Sequence, residues 1–265
     1  MHLILASASP RRREILSYLP IPFVVQSAGV DETPRAGEPP DAMVLRLSQA
    51  KAQAVACTHG DESALVLAAD TTVALDGAII GKPKDAADAE TMLRTLRNRP
   101  HHVYTGITLR ACGNAVDANA AASMRRGEGT DAYSTSLPLM LGCGEGAEAL
   151  HPPLPHRPLS PSPFQGARGG GFSSLCRTLV HMRDYSEDEL RAYIASASPF
   201  DKAGAYAIQD QDFHPVERIE GCYMNVMGLP LCEVIRGLRA LGVALDVREP
   251  IRHDCLSDDG QPCYA

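Results

Sequence analysis

Short apolar runs alternate with longer segments of helical periodicity along the first hundred residues. The runs Leu3–Ala6, Phe23–Val25 and Leu65–Ala69 predict buried strands. Between the last two, apolar residues recur every three or four positions from Asp41 to Cys57, which predicts a long helix. Alternating strands and helices of this kind indicate an α/β fold.

Local polar residues mark where helices and turns begin. Ser9 followed by Pro10 is a typical N-cap and first turn, so a helix is expected to run to about Leu19. Asp76-Gly77 separates two apolar triplets and predicts a two-residue hairpin turn. Asp85 is the expected cap of the next helix.

The same pattern returns in the second half of the chain. His102–Leu109, Arg177–Arg183 and Val216–Gly221 read as strands. Ser186 begins a capping box, and Pro230 is expected to begin the last helix.

Residues 112–174 interrupt this pattern, because proline, serine and glycine dominate and no periodicity remains. We expect a disordered or loosely ordered insertion that cannot build a packed core. The flanking residues 1–111 and 175–249 are then one domain, and residues 250–265 form a polar, frayed tail.

Composition narrows the classes of partner. The 265-residue chain is 45% hydrophobic and carries a net charge of −7, which argues against a broad nucleic-acid surface. Its eight cysteines form no CxxC pair, so reduced thiols are expected. The first apolar stretch is too short for a signal peptide, and no run approaches the roughly 20 residues that span a bilayer. The expectation is a soluble cytoplasmic protein with neither nucleic acid nor membrane as partner.

The tetrapeptide Ser9-Pro10-Arg11-Arg12 offers free backbone N–H groups at a helix N-terminus, with two arginines beside them. These groups suit phosphate oxygens. Taken alone, the tetrapeptide is more often a capped surface helix with solvated arginines.

Asp70 follows an aliphatic run and is expected at the end of a strand, where open α/β folds place their active sites. It can hold a divalent cation, accept a proton from water, or simply begin a turn. Lys82 lies between Gly81 and Pro83, outside any Walker A motif. Lys51 lies on an alanine-rich helix face, where a lysine commonly extends to solvent.

The segment Asp201–Gln209 combines a charge pair, a glycine, an aromatic residue and an amide. The Gln209 amide can donate and accept together, as reading of a base requires, although a turn before a helix is the alternative. Glu32 beside Asp31 can add a metal ligand or remain solvated.

Taken together, these motifs resemble the Maf family, the nucleoside triphosphate pyrophosphatases also labelled septum formation inhibitors. They occur in the family's order and cover residues 2–110 and 176–243. The matching segments are Leu5–Arg12, Asp31–Thr33, Lys51-Ala52, Ala69–Thr71, Gly81–Pro83, Asp201–Gln209 and Gly221–Pro230.

The resemblance implies hydrolysis of a nucleoside triphosphate to the monophosphate and pyrophosphate with Mg²⁺ or Mn²⁺. It also implies an elongated mixed sheet flanked by helices, an ITPase-like fold with a nucleotide cleft between two lobes, and it suggests a homodimer. The form of Asp201–Gln209 resembles the dTTP/UTP branch rather than the 7-methyl-GTP branch.

The resemblance also implies residue roles. Asp70 matches the proton acceptor, while their carboxylates by themselves make Asp70 and Glu32 candidate metal ligands. The substrate-discriminating positions are Arg12, Thr71 and Gln209, and the phosphate-binding positions are Ser7, Arg11, Lys51 and Lys82. Glu32, Asp201 and Lys202 are additional candidates.

The chain departs from the family pattern in three ways. Cys222 replaces the usual serine, Ala207 and Asp210 replace glycines around Gln209, and residues 112–174 replace a short connection. Two alternatives therefore stay open. One is a nucleotide-binding regulator of cell division without turnover, and the other is a house-cleaning enzyme for modified pyrimidine nucleotides.

Overall fold

A computed structural model describes residues 2–58, 64–112 and 171–245. These residues all belong to one compact unit. Of the expected insertion 112–174, residues 113–170 lie outside the described residues, as does the whole expected tail 250–265. Among the described residues, no helix is long and apolar enough to cross a membrane.

The described residues form a mixed sheet with the order β2-β1-β3-β5-β6-β7, and β4 pairs with β3. Strand β1 is parallel to β2 and β3, whereas the other pairs are antiparallel. The predicted mixed α/β sheet is confirmed. The strands are β1 (His2–Leu5), β2 (Phe23–Val25), β3 (Ala64–Leu75), β4 (Ala78–Ile80), β5 (Pro100–Ala111), β6 (Gly171–Met182) and β7 (Val216–Glu220).

Three helices begin at the predicted caps. Ser9 accepts a hydrogen bond from the Arg12 N–H, Asp85 accepts one from Asp88, and Ser186 forms the expected capping box. The helices are α1 (Pro10–Leu16), α2 (Pro40–Ala56), α3 (Ala86–Leu96), α4 (Glu187–Ala195), α5 (Tyr223–Met227) and α6 (Leu231–Ala240), with 3₁₀ turns at Ser198–Asp201 and Ala203–Ala205.

The predicted end of α1 and the predicted start of β6 are wrong. Helix α1 ends at Leu16, before the predicted Leu19. Strand β6 begins at Gly171 instead of Arg177, because β5 pairs with it in register from Arg110 onward. Residues 171–174, which composition assigned to the insertion, are therefore part of the sheet.

Helix α2 packs against the sheet with its backbone close to β5. A Cβ atom at Gly106 would lie 2.5 Å from the carbonyl oxygen of Val44. Only glycine permits this approach without a shift of the helix. Since α2 also carries Lys51, this contact determines how closely that ammonium group can approach the sheet.

Candidate active site

The site lies where one edge of β3 changes partner. On this edge β3 pairs with β1 over residues 64–67 and with β4 over residues 73–75. Among the described residues, 68–72 have no strand partner on that side. Asp70 and Thr71 lie in this gap, so Asp70 is in the middle of a long strand. Its predicted position at a strand end is wrong, because β5 keeps the strand paired through Thr71 and Thr72.

Successive residues of a strand point to opposite faces, and the gap exposes both faces to one pocket. The pocket has a volume of about 420 Å³, which is within the usual range for small-molecule sites. Every predicted site residue lines it: Ser7, Arg11, Arg12, Glu32, Lys51, Asp70, Thr71, Lys82, Asp201, Lys202 and Gln209.

Five of these side chains are cationic and three are anionic. The cations come from α1, α2, the loop after β4 and the 3₁₀ region. They are therefore brought together by the fold and do not form one run of sequence. An excess of positive charge in a pocket of this size suits a polyphosphate.

A carboxylate pair on the α2 face of the sheet shares one ammonium group. The Nζ atom of Lys51 lies 2.6 Å from Asp70 Oδ1 and 2.6 Å from Glu32 Oε1. Asp70 is only 7% exposed. Burial raises the pKa of Asp70 and outweighs the opposing charges of Lys51 and Arg12. Asp70 is thus a buried carboxylate of increased basicity beside a cation.

Glu32 behaves differently because it is more exposed. Its partial burial raises the pKa, but the hydrogen bond and charge of Lys51 outweigh this effect and leave the pKa of Glu32 lowered. The two carboxylates therefore have pKa values pushed in opposite directions, as is common for pairs with separate acid–base roles.

Arg12 occupies the opposite face, with three protein partners. Its Nε donates to the Gly228 carbonyl at 2.8 Å, and its Nη atoms donate to Ser7 Oγ at 3.2 Å and Thr71 Oγ1 at 3.0 Å. Burial lowers the pKa of Arg12, while the negative charge of Asp70 opposes that shift. These bonds fix the guanidinium plane, and among the described residues they leave one N–H on each Nη atom for a ligand.

The mouth of the pocket is crossed by an ion pair. Arg11 Nη1 lies 3.0 Å from Asp201 Oδ2. Lys202 donates to Asp201 and to the Ser198 carbonyl. Arg11 and Lys202 are therefore engaged with protein partners in this structure, whereas Lys82 is exposed on the pocket wall.

The donor set can be tested against the expected divalent cation. In the described part of the chain, no three His, Cys, Asp or Glu residues form a metal-binding group. The pocket does hold two carboxylates close together, those of Asp70 and Glu32, which both contact Lys51. Mg²⁺ usually takes one or two carboxylates, with water and substrate phosphates completing its shell, so Asp70 and Glu32 fit.

Sequence analysis missed two contributors. Gly228, in the matched segment Gly221–Pro230, was assigned no role, yet its carbonyl holds Arg12. Thr105 is fully buried, and its Oγ1 lies 2.9 Å from Thr71 Oγ1. No sequence signal singled out Thr105, because strand β5 also carries His101, His102, Thr108 and Arg110.

Comparison with known proteins identifies the family. The profile of the Maf-like protein family matches residues 2–131 and 165–241. The chain belongs to the Maf family. Residues 132–164, between the two matched ranges, fall within the expected insertion.

Curated relatives are similar over most of their length. The dTTP/UTP pyrophosphatases of Geotalea uraniireducens (strain Rf4) and Geobacter sp. (strain M21) are each 38% identical to this Maf protein, covering 91% of it and 95% of each relative. That of Myxococcus xanthus (strain DK1622) is 39% identical, covering 93% of this chain and 95% of the relative. A solved HAM1 protein from Coxiella burnetii matches with a TM-score of 0.29 at 18% identity over 43% of this chain and 65% of its own, which is too low to carry an argument.

Proposed function

We propose that this Maf protein is a nucleoside triphosphate pyrophosphatase that hydrolyses dTTP and UTP to the monophosphate and pyrophosphate. One observation carries the proposal: the buried Asp70 carboxylate, of raised pKa, opens into a cation-lined pocket beside Lys51. The names of the relatives support the choice of substrates.

In the proposed reaction, water attacks the α-phosphorus. A bond forms between the water oxygen and that phosphorus, the α–β anhydride bond breaks, and Asp70 takes the proton. A carboxylate whose pKa is raised toward neutrality is a better base than an ordinary one. Asp70→Asn should therefore lower turnover by at least about 100-fold.

The leaving pyrophosphate gains negative charge as the anhydride bond breaks. The exposed Lys82, which forms no ion pair with another described residue, can meet it from the pocket wall, and Arg11 joins once a phosphate displaces Asp201. A divalent cation held by Asp70 and Glu32 would supply further neutralisation of phosphate charge.

The proposal has four further parts. They are the Mg²⁺ or Mn²⁺ requirement, a homodimer, cytoplasmic location and activity on modified pyrimidine nucleotides. The metal requirement is tested by turnover after chelation and after metal is added back. Sedimentation tests the homodimer, and rates on modified triphosphates test the modified substrates.

The deciding experiment is pyrophosphate release with Mg²⁺ or Mn²⁺ across dTTP, UTP, CTP, GTP and 7-methyl-GTP. Asp70→Asn is the test variant, and Asp76→Asn, in the exposed β-hairpin turn, is the matched control. Turnover of dTTP and UTP that Asp70→Asn alone abolishes is expected. Tight nucleotide binding without turnover in the unaltered protein would favour the regulator instead.

A further inference from the structure

Behind the pocket, a chain of hydroxyl groups leads from Thr71 into the core. Thr71 and Thr105 are direct partners across β3 and β5, with their Oγ1 atoms 2.9 Å apart. Thr105 Oγ1 also lies 3.2 Å from the backbone carbonyl of Asn225, at α5. Thr105 is fully buried, while Thr71 is half-buried and faces the pocket.

The chemistry of these groups determines where the protons lie. A carbonyl oxygen can only accept, so the single hydroxyl proton of Thr105 points to Asn225. The Thr105 oxygen must then accept from Thr71. A guanidinium can only donate, so Thr71 accepts from Arg12.

The proton of Thr71 therefore points into the protein. Its other reachable partner, the Gly228 carbonyl at 3.3 Å, is also an acceptor and leads to the same conclusion. A hydroxyl has one proton and two lone pairs. Thr71 thus presents to a ligand only its second lone pair, and the free N–H groups of Arg12 present donors beside it.

We propose that Thr105 is a positioning residue that fixes Thr71 as an acceptor, so that the pocket selects bases with an N–H group at N3. This inference rests on the proposed function and deepens it. Uracil and thymine carry an N3–H donor beside carbonyl acceptors, which complements the Thr71 acceptor with the Arg12 donors beside it. Cytosine carries a lone pair at N3, which would face the lone pair of Thr71 with no proton between them.

A buried hydroxyl also contributes to stability, so a matched control is needed. Thr108 lies on the same strand, and its Oγ1 bonds to Ser48 Oγ at 3.0 Å and to Ser173 Oγ at 3.1 Å. Thr108 is also buried, but its partner Ser48 belongs to α2, on the other face of the sheet from Thr105. Thr108→Val therefore removes a similar hydroxyl without touching Thr71.

The test measures kcat/KM for UTP, CTP and 3-methyl-UTP, which lacks the N3 proton, together with unfolding midpoints. Thr105→Val should lower the UTP-to-CTP ratio between about three- and tenfold, the value of one hydrogen bond. Thr105→Ser should restore it, and Thr108→Val should lose stability with the ratio unchanged. An unchanged ratio in folded Thr105→Val, or an equal fall in Thr108→Val, overturns the proposal.

The unaltered protein provides a second test, which does not depend on whether a variant folds. It should use 3-methyl-UTP at least about tenfold less well than UTP, and equal use overturns the inference. If the protein releases no pyrophosphate, the proposed function fails on its own. Dissociation constants for UTP, CTP and 3-methyl-UTP then replace the kcat/KM values. Equal affinities for the three nucleotides overturn the inference, and so does a lack of binding.

Discussion

Asp70 and Gly106 are direct partners across β3 and β5, and the missing side chain at Gly106 lets α2 bring Lys51 onto the Asp70 carboxylate. The closeness of helix and sheet is thus part of the site. An added methyl group would meet the backbone of Val44, which cannot move without the helix.

Gly106→Ala should therefore separate Lys51 from Asp70. We expect a loss of about 1–3 kcal/mol in the free energy of unfolding, as for overpacked cores, and a lower kcat. Denaturant unfolding and pyrophosphate release measure the two effects. Gly29→Ala is the control, because an added Cβ there meets nothing within 4 Å. Unaltered kcat and stability in Gly106→Ala would contradict this account of the helix contact.

The charge of Lys51 should set the acid limb of the pH–rate profile. The ammonium lowers the pKa of Asp70 against the effect of burial, so its removal raises that pKa further. In Lys51→Gln, the acid limb of kcat/KM should move to higher pH, since Asp70 must be deprotonated to act as base. The control Lys84→Gln changes an exposed lysine. A profile in Lys51→Gln that keeps its wild-type acid limb would show that another group titrates there.

Local signals predicted much of this fold. The hairpin at Asp76-Gly77 forms as expected, with positive φ at both residues, and its strands pair from Val73 to Ile80. The caps at Ser9, Asp85 and Ser186 depend on spacings of a few residues, which a sequence displays directly.

Features that depend on distant partners were not predicted. Asp70 resembles the start of a turn in sequence, but β5 continues to pair with Thr71 and Thr72, so the strand does not end at Asp70. The bond between Thr71 and Thr105 joins residues 34 positions apart, and no local pattern fixes that register. The sequence motifs thus allowed the pocket residues to be assigned to one site, whereas the Thr105 hydroxyl behind Thr71 could not be assigned to it.

The ion pair at the pocket mouth should compete with phosphate for Arg11. Asp201 is largely exposed, so the pair is worth at most about 1 kcal/mol of stability. Asp201→Asn should lower KM for the triphosphate a few-fold and leave kcat unchanged, because Arg11 no longer has to leave a carboxylate. Steady-state kinetics measure both values, and Asp188→Asn on α4 is an exposed control. A large fall in kcat would instead assign Asp201 a part in the chemistry.

His101 should make the protein sensitive to acid. It is buried against the Tyr206 hydroxyl at 2.7 Å, and burial lowers the pKa of His101 from 6.5 to about 3. Below pH 6.5 the unfolded chain takes up a proton that the native state does not. Stability then falls by up to about 1.4 kcal/mol per pH unit until the native histidine also titrates.

In His101→Gln, which keeps a hydrogen-bonding side chain near Tyr206, the loss of stability between pH 7 and pH 5 should be smaller by about 2 kcal/mol. Urea unfolding at both pH values measures it. The control His2→Gln replaces an exposed histidine. Equal pH dependence in His101→Gln and the unaltered protein would mean that His101 is not the acid-sensitive group.

The expected insertion should be dispensable, because the strands on either side of it are already paired. Arg110 and Gly171 are direct partners of β5 and β6, and Cys112 continues the pairing of β5 with β3 through a 2.8 Å bond to the Ala64 carbonyl. Replacing residues 113–170 by Asn-Gly leaves a four-residue connection between these partners, which an antiparallel hairpin accommodates.

The shortened chain should keep its kcat/KM for UTP within a few-fold, since every residue assigned to the site lies outside 113–170. Pyrophosphate release measures this, and Asp70→Asn in the shortened chain should abolish it if the same base acts. Unfolding in denaturant distinguishes a lost fold from a lost site. A folded, inactive chain would mean that the segment supplies something the pocket needs, and the single-domain description of 1–111 and 175–249 would then be incomplete.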